Sequence, residues 1–98
     1  MSETKIKNES KQKTEEEKLF RVLLHNDDHT TMDFVVCVLM SIFDHTEVEA
    51  EQIMLSVHNN GIGVAGIYNL KVAEDKAKQT MDVARIKGFL LKCSVEFD

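Results

Sequence analysis

Two short polar segments hold the side chains best equipped for recognition chemistry. Asn26-Asp27-Asp28 presents an amide and two carboxylates in succession, and His58 follows in Met54-Leu55-Ser56-Val57-His58-Asn59-Asn60-Gly61. Taken singly, each has an ordinary structural explanation. Asn and Asp favour turns and suit the positive end of a helix, while a histidine is mildly favoured at the opposite end. Taken together they are a set of acceptors: the amide oxygen of Asn26, the carboxylate of Asp27 and the lone-pair nitrogen of a neutral His58. Met32, Val35, Met54 and Val57 fall on the neighbouring helical turns and are apolar. Acceptors beside an apolar cup suit a ligand with a cationic head and a greasy body. The first residue of another polypeptide is such a ligand. A metal is the competing occupant, with His25, Asp27, Asp28, His29 and His58 as candidate ligands. Against it, the helical His/Glu spacings of dependable metal sites are missing, as are a nucleophile elbow and a phosphate loop. No catalytic residue, metal or cofactor is expected.

The elements that must position these residues follow from hydrophobic periodicity. Leu19-Phe20-Arg21-Val22-Leu23-Leu24 reads as a strand that ends in the turn formers His25 to His29. Thr30 or Thr31 then caps a helix whose apolar face is Phe34, Val35, Val38, Leu39, Ile42 and Phe43. Thr46-Glu47-Val48-Glu49 is a capping box. The helix it opens has Val48, Ile53, Met54, Leu55 and Val57 as apolar members, and Gly61 lies where a left-handed residue is wanted. Gly63 to Tyr68 reads as a second strand, residues 71 to 87 as a third helix stopped by Gly88. Phe89, Leu91, Cys93, Val95 and Phe97 alternate with Leu90, Lys92, Ser94 and Glu96 as a third, half-buried strand. The expected fold is α+β: a β-α-α-β-α-β sandwich with three helices on one face of a three-stranded antiparallel sheet.

Composition narrows the function classes. With 98 residues the chain has room for one small domain, and 43% hydrophobic residues suffice for a globular body. Residues 1–18 balance their charges and show no apolar periodicity, so they are expected to form a disordered extension ahead of a core domain at 19–98. The whole net charge of −5 thus rests on that core. An acidic surface repels phosphate backbones and favours cationic ligands, so nucleic acid is not an expected partner. No apolar run approaches the ~20 residues of a membrane span, and the opening residues show no secretory pattern. Cys37 and Cys93 lie in apolar runs without metal spacing and are expected to be reduced core thiols of a cytoplasmic protein.

The run Val22-Leu23-Leu24-His25-Asn26-Asp27-Asp28-His29-Thr30-Thr31-Met32-Asp33-Phe34-Val35 resembles the signature of the ClpS family, adaptors of the AAA+ ClpAP and ClpCP proteases that recognise N-degrons. Met54-Leu55-x-Val57-His58-x-x-Gly61, Val72-Ala73-Glu74-x-Lys76 and Leu91-x-Cys93-x-Val95-Glu96 are similar to three further family motifs in the same order. The resemblance runs from Leu19 to Glu96.

This resemblance implies that Asn26, Asp27 and His58 hold the ligand's α-ammonium. It implies a side-chain pocket of Leu24, Thr30, Met32, Val35, Met54, Val57 and Leu91, with Met32 as a gate against β-branched residues, which are stiff at χ1. The favoured cargo would begin with Leu, Phe, Tyr or Trp. Glu74 and Lys76 match positions that dock on the amino-terminal domain of a ClpA- or ClpC-type unfoldase, and the extension would be engaged during handover. A monomer is expected, in the cytoplasm or the stroma of an organelle of bacterial descent. The resemblance departs from the family pattern at Thr31 and Leu90, where proline is usual, and at Lys71, where an acidic residue is common. The alternative function is a regulator that docks on the unfoldase without binding N-degrons.

Overall fold

The structure, a computed structural model, describes residues 18–98. The extension expected over residues 1–18 lies outside them, Lys18 excepted. The elements follow the order β1 (Phe20–His25), α1 (Met32–Ser41), α2 (Glu47–Asn60), β2 (Ile62–Tyr68), α3 (Leu70–Ile86) and β3 (Lys92–Phe97). This is the order that the periodicity predicts. The strands form one antiparallel sheet in the order β2-β1-β3.

The central strand explains its own sequence. β1 has a neighbour on each side, and Val22, Leu23 and Leu24 are all buried. A near-continuous apolar run is what such a position stabilises. α3 carries Ala73, Ala77, Thr80 and Ala84 as its buried stripe, and side chains this small let a helix lie close to the sheet. The one buried polar member, Thr80, donates its hydroxyl hydrogen to the Lys76 carbonyl at 2.8 Å.

The helix starts are set by side chains that accept from orphan backbone donors. Of the two candidate caps for α1, Thr31 takes the role: it is extended, and its Oγ1 accepts from the Phe34 N–H at 3.1 Å. α2 opens with the complete capping box. Thr46 Oγ1 accepts from the Glu49 N–H at 3.2 Å, and Glu49 Oε1 accepts from the Thr46 N–H at 3.0 Å. At the other end of α2, Gly61 sits at φ 87°, a conformation that favours glycine.

Several side chains pack differently from what their local pattern suggests. Cys37 is exposed rather than buried, because it falls on the outer stripe of α1 with Asp33 and Met40. Val48 and Leu55 face outward from α2, and Ala50 and Val57 are its buried residues. The third strand begins at Lys92, so Phe89 and Leu91 belong to the segment leading into it. Phe97, at the end of the sheet, is exposed, although its ring meets Phe20 edge-on at 5.4 Å.

Candidate functional site

The two polar segments converge because a backbone bond joins the elements that carry them. The Asn26 N–H donates to the Gly61 carbonyl at 2.9 Å, tying the end of β1 to the end of α2. The Thr30 N–H donates to the Asp27 carbonyl at 3.0 Å, closing the turn that leads to α1. A further constraint comes from β2. A Cβ on Gly63 would stand 2.7 Å from Val57 Cγ2 and 3.2 Å from the Ile53 carbonyl oxygen. Glycine there lets α2 press on the sheet.

Between these elements opens a cavity of about 230 Å³, walled by Asn26, Asp27, Asp28, Thr30, Thr31, Met32, Val35, Met54, Val57, His58 and Leu91. It is smaller than the ~300–1,000 Å³ of a drug-sized ligand site, and suits a single amino-acid residue. Asn26, Asp27 and His58 therefore share one hollow with six of the seven expected pocket residues. Leu24 is the exception. It lies on the inward face of the central strand, wholly buried in the core, and does not line the cavity. Asp28 and Thr31 line it as well, which sequence reasoning missed. Asp28 had a visible signal in the doubled aspartate. Thr31 had none beyond its place between Thr30 and Met32.

The walls divide by chemistry. Val35, Val57 and Leu91 are buried and form apolar surface, while His58 and Met32 are exposed. The Asn26 Nδ2 donates to Asp28 Oδ1 at 3.4 Å, so the amide's donor end is turned to a carboxylate and its oxygen remains to accept. Thr30 Oγ1 donates to Asp27 Oδ2 at 2.6 Å. A carboxylate has room for about four such bonds, so this one fixes Asp27 without exhausting it. Leu90 is exposed, beside Leu91 on the cavity wall.

Elsewhere, His25 pairs with Ser94 at 2.7 Å, away from any metal arrangement. Among the described residues no group of three or more His, Cys, Asp or Glu side chains is placed to hold a metal ion. None of their helices is long and apolar enough to cross a membrane. Glu74 is exposed on α3. Lys76 instead turns its ammonium inward, donating to the Ile42 carbonyl at 2.6 Å and lying 5.2 Å from the centre of the Tyr68 ring. Lys71, at one of the departures from the family pattern, pairs with Asp75 at 3.2 Å on the surface.

The family described as "ATP-dependent Clp protease adaptor protein ClpS" matches residues 15–94. The ATP-dependent Clp protease adapter protein ClpS of Desulfatibacillum aliphaticivorans is 54% identical over 88 residues, covering 90% of this chain and 85% of that one. Its counterpart in Oleidesulfovibrio alaskensis is 56% identical over 81 residues, 83% of this chain and 78% of that one. Among solved structures, Agrobacterium tumefaciens ClpS2 bound to L-phenylalaninamide is similar with a TM-score of 0.80 and 34% identity, covering 83% of this chain and 98% of that one.

Proposed function

This chain belongs to the ClpS family of ATP-dependent Clp protease adaptor proteins, and we propose that it binds the free amino-terminal residue of other proteins and delivers them to a Clp-type AAA+ unfoldase. The observation that carries the reading is the single cavity in which Asn26, Asp27 and His58 meet an apolar wall. The α-ammonium donates to the Asn26 amide oxygen, the Asp27 carboxylate and a neutral His58 ring nitrogen. Charge-assisted bonds of this kind contribute roughly 1.5–3 kcal/mol each. The first side chain enters between Val35, Met54, Val57 and Leu91, and burying a Leu or Phe there contributes about 1.5–3 kcal/mol more. A ClpS2 solved with L-phenylalaninamide, a free amine next to an aromatic side chain, supports this pairing of chemistries.

No bond is made or broken, so the role is binding and not catalysis. Docking on the amino-terminal domain of a ClpA- or ClpC-type unfoldase falls to the exposed face of α3 around Glu74. The head of Lys76 is spent on Ile42, which makes that residue a brace between α3 and the end of α1. The adaptor acts as a monomer in the cytoplasm.

A panel of short peptides that differ only in their first residue tests the reading. Leu, Phe, Tyr and Trp are expected to bind at least about tenfold more tightly than Val, Ile, Ser or Lys, a difference of ~1.4 kcal/mol. A panel with equal affinities throughout contradicts it.

A further inference from the structure

A second hollow, of about 690 Å³, opens on the outside of the α1–α2 pair. Val36, Met40 and Leu55 give it an apolar surface, and Asp33, Glu47 and Glu51 border it. None of the described residues that line it is basic. Met40 and Leu55 are 40% and 47% exposed, so this apolar surface is left open by the other described residues. Met54 lines both hollows. One side chain, Met54, thus stands between the outer groove and the cavity read above as the amine site.

Direction and length follow from this adjacency. A peptide whose ammonium is held by Asn26, Asp27 and His58 has to leave the cavity with its carboxyl end outward. From Met54 back to Glu47 the groove follows about two turns of α2, or ~10 Å. An extended peptide rises ~3.3 Å per residue, so roughly three residues fit. We propose that the α1–α2 groove is a second subsite, taking the side chains at about positions three to five of the bound peptide and preferring apolar or basic residues to acidic ones. The proposal rests on the amino-terminal reading of the cavity and adds to it a determinant of cargo choice. The apolar strip supplies contact area, and the three carboxylates along the border supply the sign preference.

Binding of three peptides that share an amino-terminal Leu and carry Leu-Lys, Ser-Ser or Glu-Glu at positions three and four tests the groove. Leucinamide, which ends before the groove, is the reference ligand. The native protein is expected to bind the Leu-Lys peptide about tenfold more tightly than the Ser-Ser peptide, and the Glu-Glu peptide least. Leu55→Lys, which sets a cation in the strip, narrows the gap between the Leu-Lys and Glu-Glu peptides. Met40→Ser narrows the gap between Leu-Lys and Ser-Ser, and leucinamide binds all three proteins alike. Equal affinities across the peptides with leucinamide still bound overturn the second subsite and leave the cavity reading standing. So does a preference that neither substitution changes, or a dimer in light scattering that Leu55→Lys dissolves, which would assign the groove to a second copy. Failure of leucinamide to bind contradicts the cavity reading itself.

Discussion

Met32 lines the cavity with 46% of its surface exposed, one position after the cap that starts α1. A long unbranched side chain in that place can fold over an entering Leu or Phe, yet it crowds a residue branched at Cβ, whose χ1 cannot turn away. Met32→Ala is therefore expected to raise the affinity of peptides beginning with Val or Ile by about tenfold while leaving Leu peptides within a few-fold. A variant that still rejects Val and Ile would remove Met32 from the gate. The two cysteines separate just as cleanly. Burial pushes the Cys93 thiol up from 9.0 to about 12, with a hydrogen bond to Thr80 opposing the shift, whereas Cys37 is exposed. Alkylation at pH 8 is expected to modify Cys37 and spare Cys93 until denaturant is added, a pattern that mass spectrometry reads directly. The same shift links stability to pH. The folded chain holds the Cys93 proton more firmly than the unfolded one, so the contribution is complete below pH 9 and is lost as the pH rises towards 12. Between pH 9 and 11 the urea midpoint of the native chain should fall more steeply than that of Cys93→Ala. Parallel curves would contradict the assignment.

Among the elements, α2 does most to shape the site, and its placement depends on Gly63. Gly63→Ala puts a methyl group 2.7 Å from Val57 Cγ2 and 3.2 Å from the Ile53 carbonyl. Overpacking of this kind typically costs about 1–3 kcal/mol. Because Val57 is a cavity wall, the loss should appear both in the urea midpoint and in the affinity for a Leu peptide. An unchanged affinity would show that the strain is relieved without displacing the cavity wall. The start of α2 contributes separately: Thr46→Ala removes the cap, at about 1 kcal/mol. The backbone hydrogen bond to Thr46 and the His45 side chain hold the Glu49 carboxyl below its ordinary 4.5. Its contribution is present above that pH and is lost as the pH falls through the lowered value. These devices were legible in the sequence, since capping boxes and terminal glycines are local signals. The facing of side chains was less so. Val48 and Leu55 are apolar members of α2 that nevertheless face outward, and apolar periodicity cannot say which side of a helix is covered. Ala50 carries too little hydrophobic weight to declare itself, although it is fully buried. Cys37 was misplaced for the same reason, on a helix that is apolar nearly all round.

Across the molecule, the net charge of −5 and the acceptors around the cavity favour a cationic ligand. Long-range bracing keeps the cavity's parts in place. Lys76 reaches from α3 to the Ile42 carbonyl just past α1, with the Tyr68 ring 5.2 Å away. Lys76→Met keeps the stem and removes the charge, and is expected to cost about 1–2 kcal/mol in urea unfolding. An unchanged midpoint would return Lys76 to the docking surface. No local pattern announces such a brace, because its partners come from three separate elements. The gathering of Asn26, Asp27 and His58 was likewise invisible to periodicity and rested on motif order. The bond from Asn26 to Gly61 that joins them is between backbone atoms, which any sequence could supply. Leu24 shows the limit of motif transfer: a residue within the signature can serve the core without lining the cavity. The most direct test is to titrate one peptide beginning with Leu against the same peptide acetylated at its amine, by calorimetry at neutral pH. Acetylation removes the charge and blocks the nitrogen, so affinity is expected to drop at least about 100-fold, or ~2.7 kcal/mol. Equal binding of the two peptides would contradict the claim that this cavity exists to hold a free amino terminus.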